Sequence, residues 1–194
     1  MDSELFLSEL VDKDLSFVVS KWLIERVPFI FNGNLEEYIL WKEKLSALIG
    51  VDSRAISLIG SACLGFSINP NKNYENFNSE SDIDIAIISH FHFDHAWHRL
   101  RNLGSDLYKL SPIQRNSVND HVNRLIYWGT IASDQILQIL PFGKDWTLAL
   151  FEMAKIQPTE GKVINVRIYN DFESLRAYHV NNLNHLRGLR LVGG

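Results

Sequence analysis

The amino-acid sequence predicts an α/β (α+β) protein, in which a small mixed sheet is flanked by N-terminal and C-terminal helices. Helical periodicity at both ends, short β-like runs in the middle and an Asn-rich polar stretch between two of these runs support this class. A chain of 194 residues is ordinary for one domain. We therefore expect a single domain over 1–194, with a helical part at 1–50, a core at 51–170, a C-terminal helix at 171–188 and a flexible tail at 189–194.

Helix boundaries are indicated by capping residues. Asn34 precedes an apolar stretch with helical spacing, Glu37 stands where a capping box needs it, and Gly50 follows the last helical residue. Asp171 begins the C-terminal helix in the same way. Further helices are predicted by periodicity alone, over 13–27, 94–109 and 114–128.

Three strands are predicted from short apolar or alternating runs. The run "AISLIG" over 55–60 stops at glycine, and "DIDIAIIS" over 82–89 alternates before it becomes fully apolar. The third run, "GKVINVRIYN" over 161–170, is rich in β-branched residues. The polar segment 69–81 between the first two runs predicts a long flexible loop.

Composition narrows the class of protein. The single cysteine, Cys63, excludes an internal disulfide and fits a reducing compartment. No run of about 18 apolar residues predicts a membrane span, and the acidic start lacks the pattern of a signal peptide, so we expect a cytoplasmic protein.

Charge is unevenly distributed along the chain. Residues 1–98 hold 7 Lys+Arg against 15 Asp+Glu, and residues 99–194 hold 12 against 8. This asymmetry fits either an acidic metal-binding half facing a phosphate-binding half or a solvated surface, and no dense basic patch requires nucleic acid as a partner.

The most informative motif is a pair of aspartates two residues apart in the second predicted strand. Side chains two apart in a strand face the same side, so Asp82 and Asp84 direct their carboxylates to one point. A hard cation such as Mg²⁺ relieves their repulsion, and Mg²⁺ is commonly bound by one or two carboxylates and substrate phosphates. Gly60 and Ser61, at the end of the first strand, let backbone N–H groups and a hydroxyl approach an anion.

Together these residues resemble the motif of the DNA polymerase β-type nucleotidyltransferase superfamily: an apolar strand, Gly-Ser, a further Gly, then Ser-Asp-x-Asp. The resemblance implies that Gly60 and Ser61 grip a nucleoside triphosphate and that Asp82 and Asp84 hold Mg²⁺ or Mn²⁺ as catalytic and metal-binding residues. It implies transfer of a nucleotidyl group to a hydroxyl that the sequence leaves unidentified. Small bacterial members of this kind act in antibiotic modification, toxin–antitoxin pairs and antiviral defence.

The superfamily uses a third carboxylate on a later strand, and here the matching strand offers Asn165 and Arg167 instead. Glu160 and Asp134 are other candidates that nothing in the sequence places at the site. Arg167 in that position would bind phosphate directly. The alternative to an active transferase is therefore a catalytically degenerate nucleotide-binding or interaction module.

A second motif, "HFHFDH", resembles the metallo-β-lactamase pattern, and a zinc hydrolase is the minor alternative. In that interpretation His90, His92, Asp94 and His95 are zinc ligands. The downstream histidines do not have the spacing of that family. The other interpretation makes Asp94 a helix cap and the histidines bystanders.

Two further features suggest partners. Lys144 follows Gly143 in a predicted turn, where its ammonium could reach a nucleotide phosphate or simply meet solvent. The ending "LRLVGG" resembles the tail of ubiquitin-like modifiers. That resemblance implies conjugation through Gly194 by a ubiquitin-type activating or conjugating enzyme.

Overall fold

The computed structural model describes residues 2–72 and 74–193. It places a mixed sheet between helices, as the sequence predicts, and the sheet has four strands where three were predicted. The strands are β1 (Ile56–Ile59), β2 (Ile83–Ile88), β3 (Thr130–Ala132) and β4 (Ile164–Tyr169). The α-helices are α1 (Asp2–Asp12), α2 (Leu15–Val19), α3 (Leu35–Ile49), α4 (Gly60–Leu64), α5 (His90–Arg101), α6 (Pro112–Asp120), α7 (Gly143–Met153) and α8 (Phe172–Gly193). Single turns of π-helix continue α2 over Ser20–Ile24 and α6 over His121–Leu125.

The sheet has the order β1-β2-β4-β3, with β2 and β4 parallel and both outer pairs antiparallel. Because side chains alternate along a strand, Ile83, Ile85 and Ile87 of β2 enter the largest apolar cluster, which also contains residues of α3 and α7. Asp84 and Ala86 lie on the opposite face of β2, where α8 packs against the sheet. One face of the sheet is therefore apolar throughout, and the other carries polar groups beneath α8.

Three of the predicted caps form, but the predicted capping box does not, because the Asn34 N–H donates to the Phe31 carbonyl at 2.8 Å instead of to the Glu37 side chain. The Asn34 side chain accepts a hydrogen bond of 3.1 Å from the Glu37 N–H at the start of α3, and Gly50 ends that helix with a φ of 69°. The Asp171 side chain accepts one of 2.7 Å from the Ser174 N–H at the start of α8. These bonds satisfy N–H groups that the first helical turn leaves without partners.

Several predicted boundaries are wrong. Ser89, not Asp94, caps α5, which ends at Arg101, and residues 104–109 form a 3₁₀ turn rather than more helix. Helix α8 continues through Gly188 to Gly193 instead of ending near Gly188. A glycine costs an exposed helix only about 1 kcal/mol relative to alanine, and its neighbours Arg187 and Leu189 favour helix.

Strand β3 and helix α7 were not predicted from the sequence. Strand β3 has only three residues, and its Ala132 N–H donates to His121 Nε2 at 3.0 Å, a partner distant from it in sequence. The same ring is fully buried, and its Nδ1 bonds to the Ser117 carbonyl at 2.6 Å. His121 is thus a neutral structural side chain that joins α6 to an outer strand.

Residues 74–81 of the polar segment are tied to their surroundings by hydrogen bonds, which differs from the flexible loop that the sequence predicts over 69–81. Phe77 N–H donates to the Gly65 carbonyl at 2.9 Å, and Phe66 and Asn76 form an isolated β-bridge. The Lys162 ammonium donates to the carbonyls of Asn78 at 2.6 Å and Ser79 at 2.7 Å. The segment that leads into Asp82 is thereby anchored to the start of β4.

The buried histidines predict how stability depends on pH. Burial lowers the pKa of His121, and it lowers the pKa of His179 to about 3. In the unfolded chain these histidines take up protons below about pH 6.5, whereas in the folded chain they do not. Their contribution to the free energy of unfolding is therefore fully present above that pH and declines as the pH falls. The free energy of unfolding should fall between about pH 6.5 and pH 5 by up to about 1.4 kcal/mol per pH unit for each such histidine.

Urea titrations at several pH values measure this slope. His179→Phe should reduce it whatever the variant does to absolute stability, while His185→Gln, at an exposed position of α8, should leave it unchanged. The raised pKa of Asp84 has the opposite sign, since protonating that carboxyl favours the folded state. A stability that is flat from pH 7.5 to pH 5 would contradict the prediction.

Candidate functional site

The candidate site lies where β1 ends, β2 begins and α8 crosses the sheet. Gly60 follows β1 with a φ of 65°, in the left-handed region that favours glycine. A β-carbon at this position would stand 2.6 Å from Asp84 Oδ2. Glycine is therefore required here by both the backbone and the aspartate, so that the Asp84 carboxylate can lie directly against the turn after β1.

The pKa of the Asp84 carboxyl group is raised above its ordinary value. Burial raises its pKa, and the nearby charges of Asp134 and Asp82 raise it further. The Arg167 guanidinium and hydrogen bonding from the Asn165 amide act in the opposite direction. A carboxylate held in such a place costs free energy when it is ionised without a cation.

Register places Asn165 beside this carboxylate. Strands β2 and β4 are parallel, with Asp84 opposite Asn165 and Ala86 opposite Arg167. Asn165 and Arg167 therefore share the polar face of the sheet with Asp84, and the position adjacent to Asp84 holds an amide in place of a third carboxylate. This is the arrangement that the sequence of β4 predicts.

Arg167 is half-buried and is held by an aromatic side chain of α8. Its Nη1 donates to the Tyr178 hydroxyl at 2.8 Å, and its Cζ lies 5.0 Å from the centre of that ring. Among residues 2–72 and 74–193, no carboxylate forms an ion pair with Arg167 within 4 Å. The guanidinium thus keeps donors for an anion.

These groups border a cavity of about 770 Å³ between the sheet and α8. Its wall contains Gly60, Asp84, Asp134 and Arg167 on the sheet side. The α8 side contributes Tyr178, His179, Asn181, Asn182 and His185. The apolar end of the cavity is formed by Leu23, Ile68, Leu183 and Leu186.

A smaller cavity of about 260 Å³ adjoins it. Gly60, Ser61, Asp82 and Asp84 line this space together with residues of the polar segment 69–81. The structure therefore brings together four of the residues that the D-x-D and Gly-Ser motifs single out. Asp82 is exposed and Asp84 is not, so one carboxylate meets solvent while the other faces the interior.

The other candidate residues have different outcomes. Lys144 is exposed in the first turn of α7 and lines neither cavity, so the predicted turn and phosphate contact are not formed there. Asp134, which follows β3, lies on the cavity wall although the sequence could not place it. Gly194 lies outside the described residues, and the backbone before it is helical through Gly193 rather than extended.

The α8 residues of the cavity were missed at the sequence level. Tyr178, Asn182 and His185 recur at spacings of four and three residues, which places them on one face of a helix. The spacing alone was no usable signal, because Asn182 and His185 are exposed, as polar residues of an amphipathic helix ordinarily are, and only Tyr178 is buried.

The "HFHFDH" motif does not form a zinc site, because it begins α5 and successive side chains turn by about 100°. His92 is buried and its ring packs 4.8 Å from that of Trp146, whereas His95 is exposed and its Nδ1 bonds to the Phe91 carbonyl. His90 Nδ1 lies 2.7 Å from Asn170 Oδ1. In the part of the chain that the structure describes, no three His, Cys, Asp or Glu side chains are grouped to hold a metal ion.

The donor set near Asp84 still fits Mg²⁺ when a nucleotide is bound. Mg²⁺ prefers oxygen ligands and is usually held by one or two carboxylates, with water and phosphate oxygens completing its shell. Asp82 and Asp84 supply two carboxylates, and the Asn165 amide, which donates a hydrogen bond to Asp84, lies beside that carboxylate. This set does not suit a protein-only cage, in which all ligands come from side chains.

Replacing Gly60 by alanine tests whether the turn and the carboxylate depend on each other. Gly60→Ala should destabilise the fold by about 1–3 kcal/mol and displace Asp84, because the new methyl group meets Oδ2. Gly161→Ala is the matched control, since Gly161 has a φ of 72° and no atom within 4 Å of the added carbon. Urea unfolding of both variants gives the comparison, and equal losses would show that the Asp84 contact is unimportant.

No candidate membrane span is found among the helices of the described residues. Comparison with protein-family models, with curated proteins and with solved structures finds no match to this chain. The resemblance to nucleotidyltransferases therefore depends on the sequence motifs alone.

Proposed function

We propose that the chain binds a nucleoside triphosphate together with Mg²⁺ in the cavity between the sheet and α8. The observation that carries the proposal is the half-buried Asp84 carboxylate, seated against Gly60, with the Arg167 guanidinium on the same face of the sheet. The Asp84 carboxylate would bind a cation and the Arg167 guanidinium an anion, and a complex of Mg²⁺ with a triphosphate contains both.

The proposed roles follow from charge and position. Asp82 and Asp84 would hold the metal, Ser61 would donate its hydroxyl to a phosphate oxygen, and Arg167 would pair with another phosphate oxygen. A volume of about 770 Å³ lies within the range of small-molecule sites. The apolar end near Leu183 and the amides of α8 suit a base and a sugar.

Nucleotidyl transfer is the reaction that such a site favours. A hydroxyl oxygen of the acceptor attacks the α-phosphorus, the bond to the bridging oxygen breaks, and pyrophosphate leaves with its electron pair. The hydroxyl proton must pass to a base. The bound metal would supply charge stabilisation at the phosphate oxygens, and Asp134 is a carboxylate on the cavity wall that could accept the proton.

Asn165 favours a second candidate, a nucleotide-binding module with little transfer activity. An amide beside Asp84 does not carry the negative charge that a second metal ion needs. We therefore place binding first and expect turnover to be slow unless Asp134 takes the part of the third carboxylate.

Nucleotide binding is tested by melting the protein with each of the four common triphosphates, with and without Mg²⁺. At a hundredfold excess over Kd a ligand stabilises the folded state by about 2.7 kcal/mol. In a chain of this size each kcal/mol raises Tm by about 2–4 °C. One triphosphate, at a hundredfold excess over its Kd, should raise Tm by the product of these two values, and only in the presence of Mg²⁺.

Asp82→Asn with Asp84→Asn should abolish this shift. The double variant without ligand should melt no lower than the natural chain, because burial and neighbouring carboxylates already oppose ionisation of Asp84. A control that removes two exposed charges elsewhere, Glu36→Gln with Asp145→Asn, should keep the shift. If the aspartate variant still responds to nucleotide, the nucleotide binds elsewhere.

Asn165→Asp should make the stability of the protein depend on Mg²⁺. Without Mg²⁺ the new carboxylate lies beside Asp84, and like charges should lower stability by about 1 kcal/mol or more. With Mg²⁺ the loss should be reversed, and any pyrophosphate release from the bound triphosphate should rise. Asn184→Asp, exposed on α8, is the control that should show no dependence on Mg²⁺. A loss that Mg²⁺ leaves in place would contradict the assigned position.

A further inference from the structure

A third cavity, of about 520 Å³, lies at the N-terminal end of α8, away from Asp84. It is open to solvent on one side and bordered by α5, by the 3₁₀ turn Ile126–Trp128 that precedes β3, and by the first turns of α8. Asn170, the residue after β4, also borders it. Crevices at the carboxyl ends of parallel strands are frequent ligand sites in α/β proteins, and this one lies beyond the end of β4.

Aromatic side chains form much of its wall. Trp97 and Trp128 are only half-buried, Phe93 is half-buried beside them, and Tyr127 is 83% exposed. The Tyr127 and Trp128 rings stand 5.3 Å apart at 88°, so that they form a corner. Perpendicular aromatic rings around an open space offer their negative faces to a cation from two directions.

The ionisable residues of this wall are both acidic. Asp171 and Glu173 line the cavity, and neither lysine nor arginine is among its lining residues. Asp171 is already used as a helix cap by Ser174 and accepts a hydrogen bond from the Asn170 amide. Glu173 is exposed and, within 2–72 and 74–193, forms no ion pair within 4 Å, so its charge is available.

One aromatic ring of the cavity already attracts a cation of the chain itself. The Arg101 guanidinium carbon lies 4.7 Å from the centre of the Trp97 ring. Acidic residues in the first turn of a helix are common because they suit the helix dipole. The dipole does not account for two tryptophans and a tyrosine left partly open around the same concave space.

We propose that this cavity binds an alkylated ammonium group, either in a small molecule or on a methylated lysine. Such a group is apolar on its surface and positively charged, so it suits an aromatic corner with an adjacent free carboxylate. A phosphate or carboxylate ligand would meet the charges of Asp171 and Glu173. A neutral ring would gain nothing from them.

Choline chloride is the first probe, and NMR of the five indole N–H groups is the readout. Choline should shift the Trp97 and Trp128 signals in a saturable way. The signals of Trp22, Trp41 and Trp146, which are buried, should stay in place as internal references. The neutral isostere 3,3-dimethylbutan-1-ol should cause no saturable shift, and equal binding of this alcohol would overturn the proposal.

Two variants with matched controls test the named groups. Tyr127→Leu should weaken choline binding about tenfold, while Tyr108→Leu, at a position 81% exposed, should not. Glu173→Gln should weaken it, while Glu36→Gln, the second residue of α3 as Glu173 is of α8, should not. Unchanged affinity in both cavity variants would also overturn it.

The source of the ammonium group is decided by comparing ligands. A short peptide with trimethyllysine that binds more tightly than choline, and loses affinity when the lysine is unmethylated, indicates a methylated partner protein. Choline binding as tightly as the peptide indicates a small molecule. The absence of any saturable shift with either ligand refutes the proposal in both forms.

Discussion

The parallel pairing of β2 with β4 is the interaction on which the rest of the structure depends. Both strands place aliphatic residues on one face, where they meet α3 and α7 in the largest apolar cluster. The same alternation necessarily places Asp84, Asn165 and Arg167 on the other face. Moving either strand by one residue would exchange the faces and bury charges in the apolar cluster, so the register that forms the core also assembles the polar site.

Helix α8 covers this polar face without neutralising it. Its aliphatic side chains pack at both ends of the helix, and between them Tyr178 and His179 meet polar groups of β4. The Tyr178 hydroxyl accepts from Arg167, and His179 Nε2 lies 3.1 Å from the Tyr169 hydroxyl. Tyrosine and neutral histidine satisfy buried donors and leave formal charges unpaired, which is how Arg167 remains open to a ligand.

The strands of the site were predictable because each has a strong local period. Strands β1, β2 and β4 are apolar or alternating over four to six residues, and the residues of the two motifs line one small cavity beside them. Strand β3 could not be predicted, since three residues carry no period and its Ala132 N–H is satisfied by His121. Asp134 depends on that strand, so its place on the cavity wall was equally hidden.

Helix α7 shows a different limit. Gly143 and Lys144 indicate a turn when only local propensity is considered, yet they begin a helix whose Trp146 and Met153 are buried in the core. A β-carbon at Gly143 would stand within 2.7 Å of the Leu137 carbonyl group, so this glycine allows close packing of two segments instead of reversing the chain. Glycine serves both purposes, and only the tertiary contact distinguishes them.

The groups that the fold does not need are concentrated on the cavity walls. An uncharged side chain at position 84 or at position 167 would avoid the free-energy cost of placing a charge beneath α8. Departures of this kind from a locally consistent sequence tend to mark functional sites. Here the two departures have opposite charge, belong to residue pairs of the β2–β4 ladder that one further pair separates, and face one cavity. Charged groups that serve only solubility lie on exposed surfaces, so the position of Asp84 and Arg167 beneath α8 supports the proposal of a ligand that carries both signs of charge.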